Sequence, residues 1–352
     1  MTDAAGTMPL SHRRPRRLTP AAAIIGALAL LFAASVAAGL SIGPSSISPL
    51  DLLAALLGDG TRRADAILAI RAPRVALAVA TGGGLAVAGA ALQALFRNPL
   101  ADPGLTGITG GAAFAAVAAI AFQDVLIGHL PSPYAALVLP IAAFLGGLAA
   151  VSLCYWAART PDGISIPTML LSGIGIGTVA GAGIGTIVFL ADDAQLRSIS
   201  FWTLGSLGAA SWLPLSVSLP AVIGGAIYLL GRGRELDALS LGEAEAFGLG
   251  VDTRVLKGRI IVAAALVTGA TVCLAGMIGF VGLVAPHIAR LLVGAGNRAV
   301  LPAAMLFGAT LLVGADVAAR TLAAPAEIPV GILTSMAGGP LFLWLVVQRH
   351  GR

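Results

Sequence analysis

The feature that most constrains this chain is a succession of apolar runs, each long enough to cross a bilayer, broken only by charges, prolines and clustered glycines. A membrane-spanning helix needs roughly 20 apolar residues. Ten such runs can be placed, at 21–42, 75–95, 107–127, 134–157, 168–190, 213–230, 260–279, 283–293, 301–319 and 330–347. The eighth is short and is expected to begin earlier, sharing the turn at 276–282 with the seventh. Charged residues make up only 11% of the 352 residues. A water-soluble domain carries about 25%, so this surface suits lipid rather than water. The expected fold class is an all-α integral membrane protein of about ten transmembrane helices. A basic tail covers 1–20, a single helical domain covers 21–348, and a hydrophilic loop spans 232–259.

The basic residues carry the orientation. Arginine and lysine concentrate on the cytoplasmic side of membrane proteins. With the N-terminus inside and ten spans, fifteen of the twenty-one basic residues fall inside, among them Arg13, Arg14, Arg16, Arg17, Arg232, Arg234, Arg254, Lys257 and Arg259. Arg62, Arg63, Arg71, Arg74, Arg197 and Arg320 fall outside. An even number of spans leaves both termini cytoplasmic. The apolar run behind the N-terminal arginines is longer than a signal-peptide core, so it reads as an uncleaved first span. The net charge of +5 is scattered and not gathered into a groove, and aromatics are few, so nucleic acid is not an expected partner.

Several chemistries lack their residues. A phosphate-binding loop requires Gly-x-x-x-x-Gly-Lys-Ser/Thr, yet the one lysine, Lys257, has no glycine loop before it. ATP hydrolysis is therefore expected on a separate chain. The histidines His12, His129, His287 and His350 are far apart, and Cys154 and Cys273 sit in apolar runs as small buried hydrophobes. No catalytic set, metal site or cofactor is expected. Ion-coupled transport needs ionisable groups inside the membrane. Asp316 lies in a span, with Arg320 four residues on, where the two can pair along a helix face. A secondary transporter working alone is the second reading, and an intramembrane enzyme a distant third.

Three features remain as candidate sites. Gly173, Gly177, Gly181 and Gly185 recur every four residues on one helix face, which permits close approach of another backbone, either as packing within the subunit or beside a transport path. In the 232–259 loop, Leu239, Leu241, Ala244, Phe247 and Leu249 suggest short amphipathic helices with Glu243 and Glu245 on the wet side, ended by Gly248 and Gly250. Such a knob is what an ATPase partner would grip. Outside, Arg71 and Arg74 flank Ala72-Pro73 ahead of the second span, and Pro73 stiffens the entry. These arginines either anchor at headgroups or are exposed cations for an acidic partner.

The segment Ile70-Arg71-Ala72-Pro73-Arg74-Val75, followed by the stretch 89–107 with Arg97-Asn98-Pro99-Leu100-Ala101-Asp102-Pro103-Gly104 inside it, resembles the signature of the permeases of the vitamin B12, ferric-siderophore and haem ABC importers. The stretch 276–290, from Gly276-Met277-Ile278-Gly279 to Pro286-His287-Ile288-Ala289-Arg290, is similar to their second signature. Gly314-Ala315-Asp316 through Arg320, with Glu327-Ile328-Pro329-Val330-Gly331, resembles the third. The likeness implies the type II ABC importer architecture in the inner membrane. It also implies a second permease copy forming a homodimer, two ATP-binding subunits and a periplasmic binding protein. Ser240, Leu241, Gly242, Glu243, Ala244, Phe247 and Gly248 then resemble the coupling helices that enter the ATPases. Arg71, Arg74 and Arg320 resemble sockets for acidic residues of the binding protein. Ser165 and Ile166 align with the cytoplasmic gate, and Ile166-Pro167 stand where cobalamin members are more polar. Family frequency makes a ferric siderophore the first expected cargo, then haem, then cobalamin.

Overall fold

The computed structural model describes residues 20–45, 48–58, 61–127, 131–161 and 163–350. The N-terminal arginines and Arg352 lie outside the described residues. In chain order the helices are α1 (Pro20–Ser41), α2 (Pro49–Leu56), α3 (Arg62–Leu95), a 3-10 turn (Pro103–Thr106), α4 (Ile108–Ala121), α5 (Gln123–Ile127) and α6 (Ser132–Ala157). A two-residue hairpin, Arg159–Thr160 against Gly163–Ile164, leads into α7 (Ile166–Leu190). Then come α8 (Asp193–Thr203), α9 (Trp212–Gly231), α10 (Gly233–Leu241), α11 (Glu243–Gly248), α12 (Thr253–Ala275), α13 (Val281–Val293), α14 (Asn297–Thr321) and α15 (Val330–His350).

Seven of these helices are long and apolar enough to cross a membrane, and three shorter apolar helices, Ile108–Ala121, Val281–Val293 and Val330–Leu343, fall on the remaining predicted runs. The structure moves several boundaries. The second span does not begin after Pro73. Thr61 accepts a hydrogen bond from the Ala64 amide and starts α3 at Arg62, so Pro73 lies inside the helix. At 1.5 Å per residue the 34 residues of α3 reach about 51 Å, well beyond a hydrocarbon core of about 30 Å. Part of the helix therefore extends beyond such a core, and Arg71 and Arg74 lie in its N-terminal half. The third run breaks at Phe122 into α4 and α5. The eighth helix does not start early. Gly276 and Phe280 both adopt positive φ, and the chain between them turns without helix, so α13 begins only at Val281.

The core is built on α3 and α12, with α14 packed along α3. In the most apolar stretch of α3, 83% of the residues are buried, against 6% in α1 and 11% in α7. Alanine and glycine let α3 and α14 come close. A Cβ on Gly82 would sit 2.3 Å from the Gly308 carbonyl oxygen, so a side chain there would push the helices apart. Without water to expel between helices in lipid, this close packing is what holds them together. The helices α1 and α7 remain on the periphery.

Candidate functional site

The two ends of α3 carry different chemistry. At its N-terminal end, Arg71, Arg74 and Arg320 are brought together, but not as free cations. All three are buried, at 6%, 8% and 3% exposure. Arg71 donates to the carbonyls of Leu40 at 2.9 Å and Ser41 at 2.8 Å, and also to that of Ser45. It therefore closes the C-terminal end of α1, where unpaired carbonyls and the helix dipole favour a cation. Arg74 donates from Nε to Asp316 Oδ1 at 2.8 Å and from Nη1 to both Glu327 oxygens at 2.9 and 3.0 Å. Arg320 donates to the Gly39 carbonyl and stands 3.5 Å from Asp316 Oδ2, an electrostatic contact too long for a good hydrogen bond.

Three guanidiniums thus face two carboxylates, leaving one positive charge in excess. The alternative of exposed cations does not hold, because the C-terminal end of α1 and the approach of α14 enclose the arginines. The expected pairing of Asp316 with Arg320 is present, but Asp316 gives its shorter contact to Arg74. Glu327, quoted in the third motif without a role, is the accessible member, its side chain 45% exposed. Its sequence distance of 253 residues from Arg74 hid the pairing.

At the opposite end, α10 and α11 form the knob. Leu239 and Ala246 are buried and fasten it to the bundle, and Asp237 Oδ1 accepts from the Asn297 amide at 2.6 Å at the start of α14. Lys257 Nζ meets Glu243 Oε1 at 2.6 Å. Gly242, at φ 143°, makes the corner between the two helices. The side chains of Leu241, Phe247 and Leu249 are 67%, 74% and 65% exposed. They project from the knob, with Ser240, Ala244 and Gly248 also exposed, while Leu239 of the same apolar set packs inward. The predicted loop is shorter than 232–259, since α12 begins at Thr253.

The glycine face of α7 divides. A Cβ on Gly173 would meet the Leu105 carbonyl oxygen at 2.1 Å, so there the expected close approach is within the chain. Gly177 is half-buried beside α4, where a Cβ on Gly110 would meet its Cα at 3.1 Å, whereas built Cβ atoms at Gly181 and Gly185 meet nothing within 4 Å and both residues are exposed. Ser165 caps α7, its Oγ 2.7 Å from Thr168 Oγ1, and Ile166 packs partly against the core. Arg290 donates to Gln93 Oε1, and Gln93 Nε2 reaches the Leu283 carbonyl at 3.4 Å, tying the first and second motifs together. Among the described residues no group of three or more His, Cys, Asp or Glu is placed to hold a metal.

The profile of the FecCD transport family matches residues 31–348. The chain is 45% identical over 283 residues to the hemin transport system permease protein HmuU of Yersinia pestis, covering 80% of this chain and 83% of that one. It is 40% identical over 284 residues to the vitamin B12 import system permease protein BtuC of Vibrio vulnificus, covering 80% and 82%. A solved metal-chelate type ABC transporter in an inward-facing conformation superposes with a TM-score of 0.78 at 32% identity, over 93% of this chain and 99% of that one.

Proposed function

The chain belongs to the FecCD transport family, and from that premise we propose that it is the membrane-spanning subunit of an inner-membrane, ATP-driven importer whose cargo is haem. The observation that carries the importer reading is the pair of unlike ends. An apolar knob at α10–α11 projects Leu241, Phe247 and Leu249 into open space, and a net-positive cluster sits at the far end of α3. Exposed large apolar side chains on a rigid, pinned element mark a contact surface, and the partner that fits is an ATP-binding subunit on the cytoplasmic side. The basic cluster faces the periplasm and receives the acidic lobes of a binding protein. A second copy of this chain covers the open part of the α7 glycine face, and the cargo path runs beside it, gated at Ser165 and Ile166.

The cargo reading moves from ferric siderophore to haem. It is supported by the likeness to a hemin permease and by apolar Ile166-Pro167 at the gate position. The test is reconstitution in proteoliposomes with the ATP-binding subunit and binding protein, measuring uptake of haem, cobalamin and a ferric siderophore in parallel. Uptake of haem that requires ATP and both partners is expected. Uptake driven by an ion gradient without them would establish the secondary-transporter reading instead. Uptake of cobalamin or a siderophore in place of haem would overturn the cargo.

A further inference from the structure

On the flank formed by α6, α9 and α12, at the same end as the α10–α11 knob, two grooves lie side by side. One, of about 600 Å³, runs between α9 and α12 and is lined by Tyr155, Gly224, Tyr228, Arg254, Arg259 and Val262. The other, of about 250 Å³, runs between α6 and α12 and includes Trp156 and Arg159. Tyr155, Val262 and Leu266 line both and form the ridge between them. We propose that this pair of grooves is a binding site for one anionic phospholipid, the ridge parting its two acyl chains and the arginines holding its phosphate.

The charge is arranged for an anion. Arg159 lines one groove and Arg254 and Arg259 the other, all three exposed, and among the described residues no Asp or Glu lines either groove. Arg159 lies over the Tyr155 ring, 5.2 Å from its centroid, and Arg232 lies 4.7 Å over Tyr228. Arg232 is paired with Glu235 at 2.7 Å, whereas among the described residues Arg159, Arg254 and Arg259 form no ion pair. Guanidinium forks match phosphate oxygens in pairs. Stacking on tyrosine fixes the guanidinium of Arg159 before the ligand arrives.

The depth is also right for a lipid. Along α12, Arg254 and Arg259 precede Val262 and Leu266, and seven residues from Arg259 to Leu266 descend about 10 Å. The cations therefore sit at headgroup level and the apolar walls at chain level. Trp156 is 70% exposed beside them, as expected of an aromatic belt at the membrane interface. Ile223 and Ile227 on α9 expose apolar surface beside Gly224. Gly224 keeps its groove open, since a Cβ there would touch nothing within 4 Å. Basic pockets between helices on the cytoplasmic side are known as sites for anionic headgroups. The proposal rests on the proposed orientation only for which leaflet supplies the lipid.

The test is native mass spectrometry of the full-length chain carried through detergent with phosphatidylglycerol, cardiolipin or phosphatidylcholine. Wild type should retain the anionic lipids over phosphatidylcholine. Each arginine near an anionic headgroup contributes about fivefold, so Arg254→Gln with Arg259→Gln should lose about 25-fold in retention, while Arg254→Lys should stay near wild type. Gly224→Leu leaves the charge unchanged and should also reduce retention by filling the chain groove. Glycerophosphate in excess should not displace the lipid. Equal retention by wild type and the double variant, full retention by Gly224→Leu, or displacement by glycerophosphate would each overturn the site. So would a double variant that keeps its lipid and loses the ATP-binding subunit, because the arginines would then serve that partner.

Discussion

Replacing Asp316 by Asn should destabilise the permease by about 3–5 kcal/mol, the usual cost of breaking a buried ion pair from one side. Asp316 is 1% exposed and stands between Arg74 Nε at 2.8 Å and Arg320 Nε at 3.5 Å. Asn keeps the shape and removes the charge. Arg74 would still have Glu327, but Arg320, whose side chain is 3% exposed, would keep among the described residues the Gly39 carbonyl as its one partner. Glu327→Gln removes the other partner of Arg74, yet that side chain is 45% exposed and water screens it, so about 0–1 kcal/mol is expected. Thermal unfolding of the purified chain, followed by tryptophan fluorescence, should show a fall on the order of 5–10 °C for Asp316→Asn and about 2 °C or less for Glu327→Gln. Adding Arg320→Met to Asp316→Asn should recover part of the loss, because it removes the orphaned charge. Equal shifts for the two single variants, or a double variant that is the sum of independent losses, would refute the account of Asp316 as the buried counter-charge.

Glu327→Gln also tests docking. It frees Arg74 from a competing carboxylate, so affinity for the binding protein should rise and its salt dependence steepen; weaker binding would show that Glu327 is itself part of the contact. Leu241→Glu changes a side chain that is exposed in the chain alone, so stability should stay within about 0.5 kcal/mol while copurification of the ATP-binding subunit is lost. Normal ATP-driven uptake by that variant would remove the knob from the interface. Gly82→Val should fail to fold or lose several degrees in melting, since its Cβ would lie 2.3 Å from the Gly308 oxygen and 2.8 Å from Leu312 Cβ, a steric conflict that neighbouring backbone cannot relieve cheaply. Gly181→Ala should leave the fold of the single chain intact, because nothing in the chain lies within 4 Å of that position, and should weaken the pairing of two copies, read as a shift toward monomer.

The sequence by itself determined the all-α membrane fold, the ten apolar segments and the family, because hydropathy is a local property and the motifs are contiguous. It also located the α10–α11 knob, whose leucines and glutamates lie within a dozen residues of one another. It could not tell which way the knob's apolar side chains point. Helical periodicity identifies a face without saying what covers it, and burial of Leu239 and Ala246 against the bundle leaves Leu241 and Phe247 outward. The glycine repeat of α7 was legible as a smooth face, but only the position of Leu105 shows that Gly173 is packed while Gly181 and Gly185 are open. The arginines were visible and their state was not. Arg71 is enclosed by carbonyls at the end of α1, and Arg74 meets Asp316 and Glu327 from more than 240 residues away. Those partners are set by the close packing of α3 against α14, which depends on the whole bundle having assembled. In a membrane, the chain's own composition selects the helices, while the pairing of its few charges is decided by which helix ends the packing brings together.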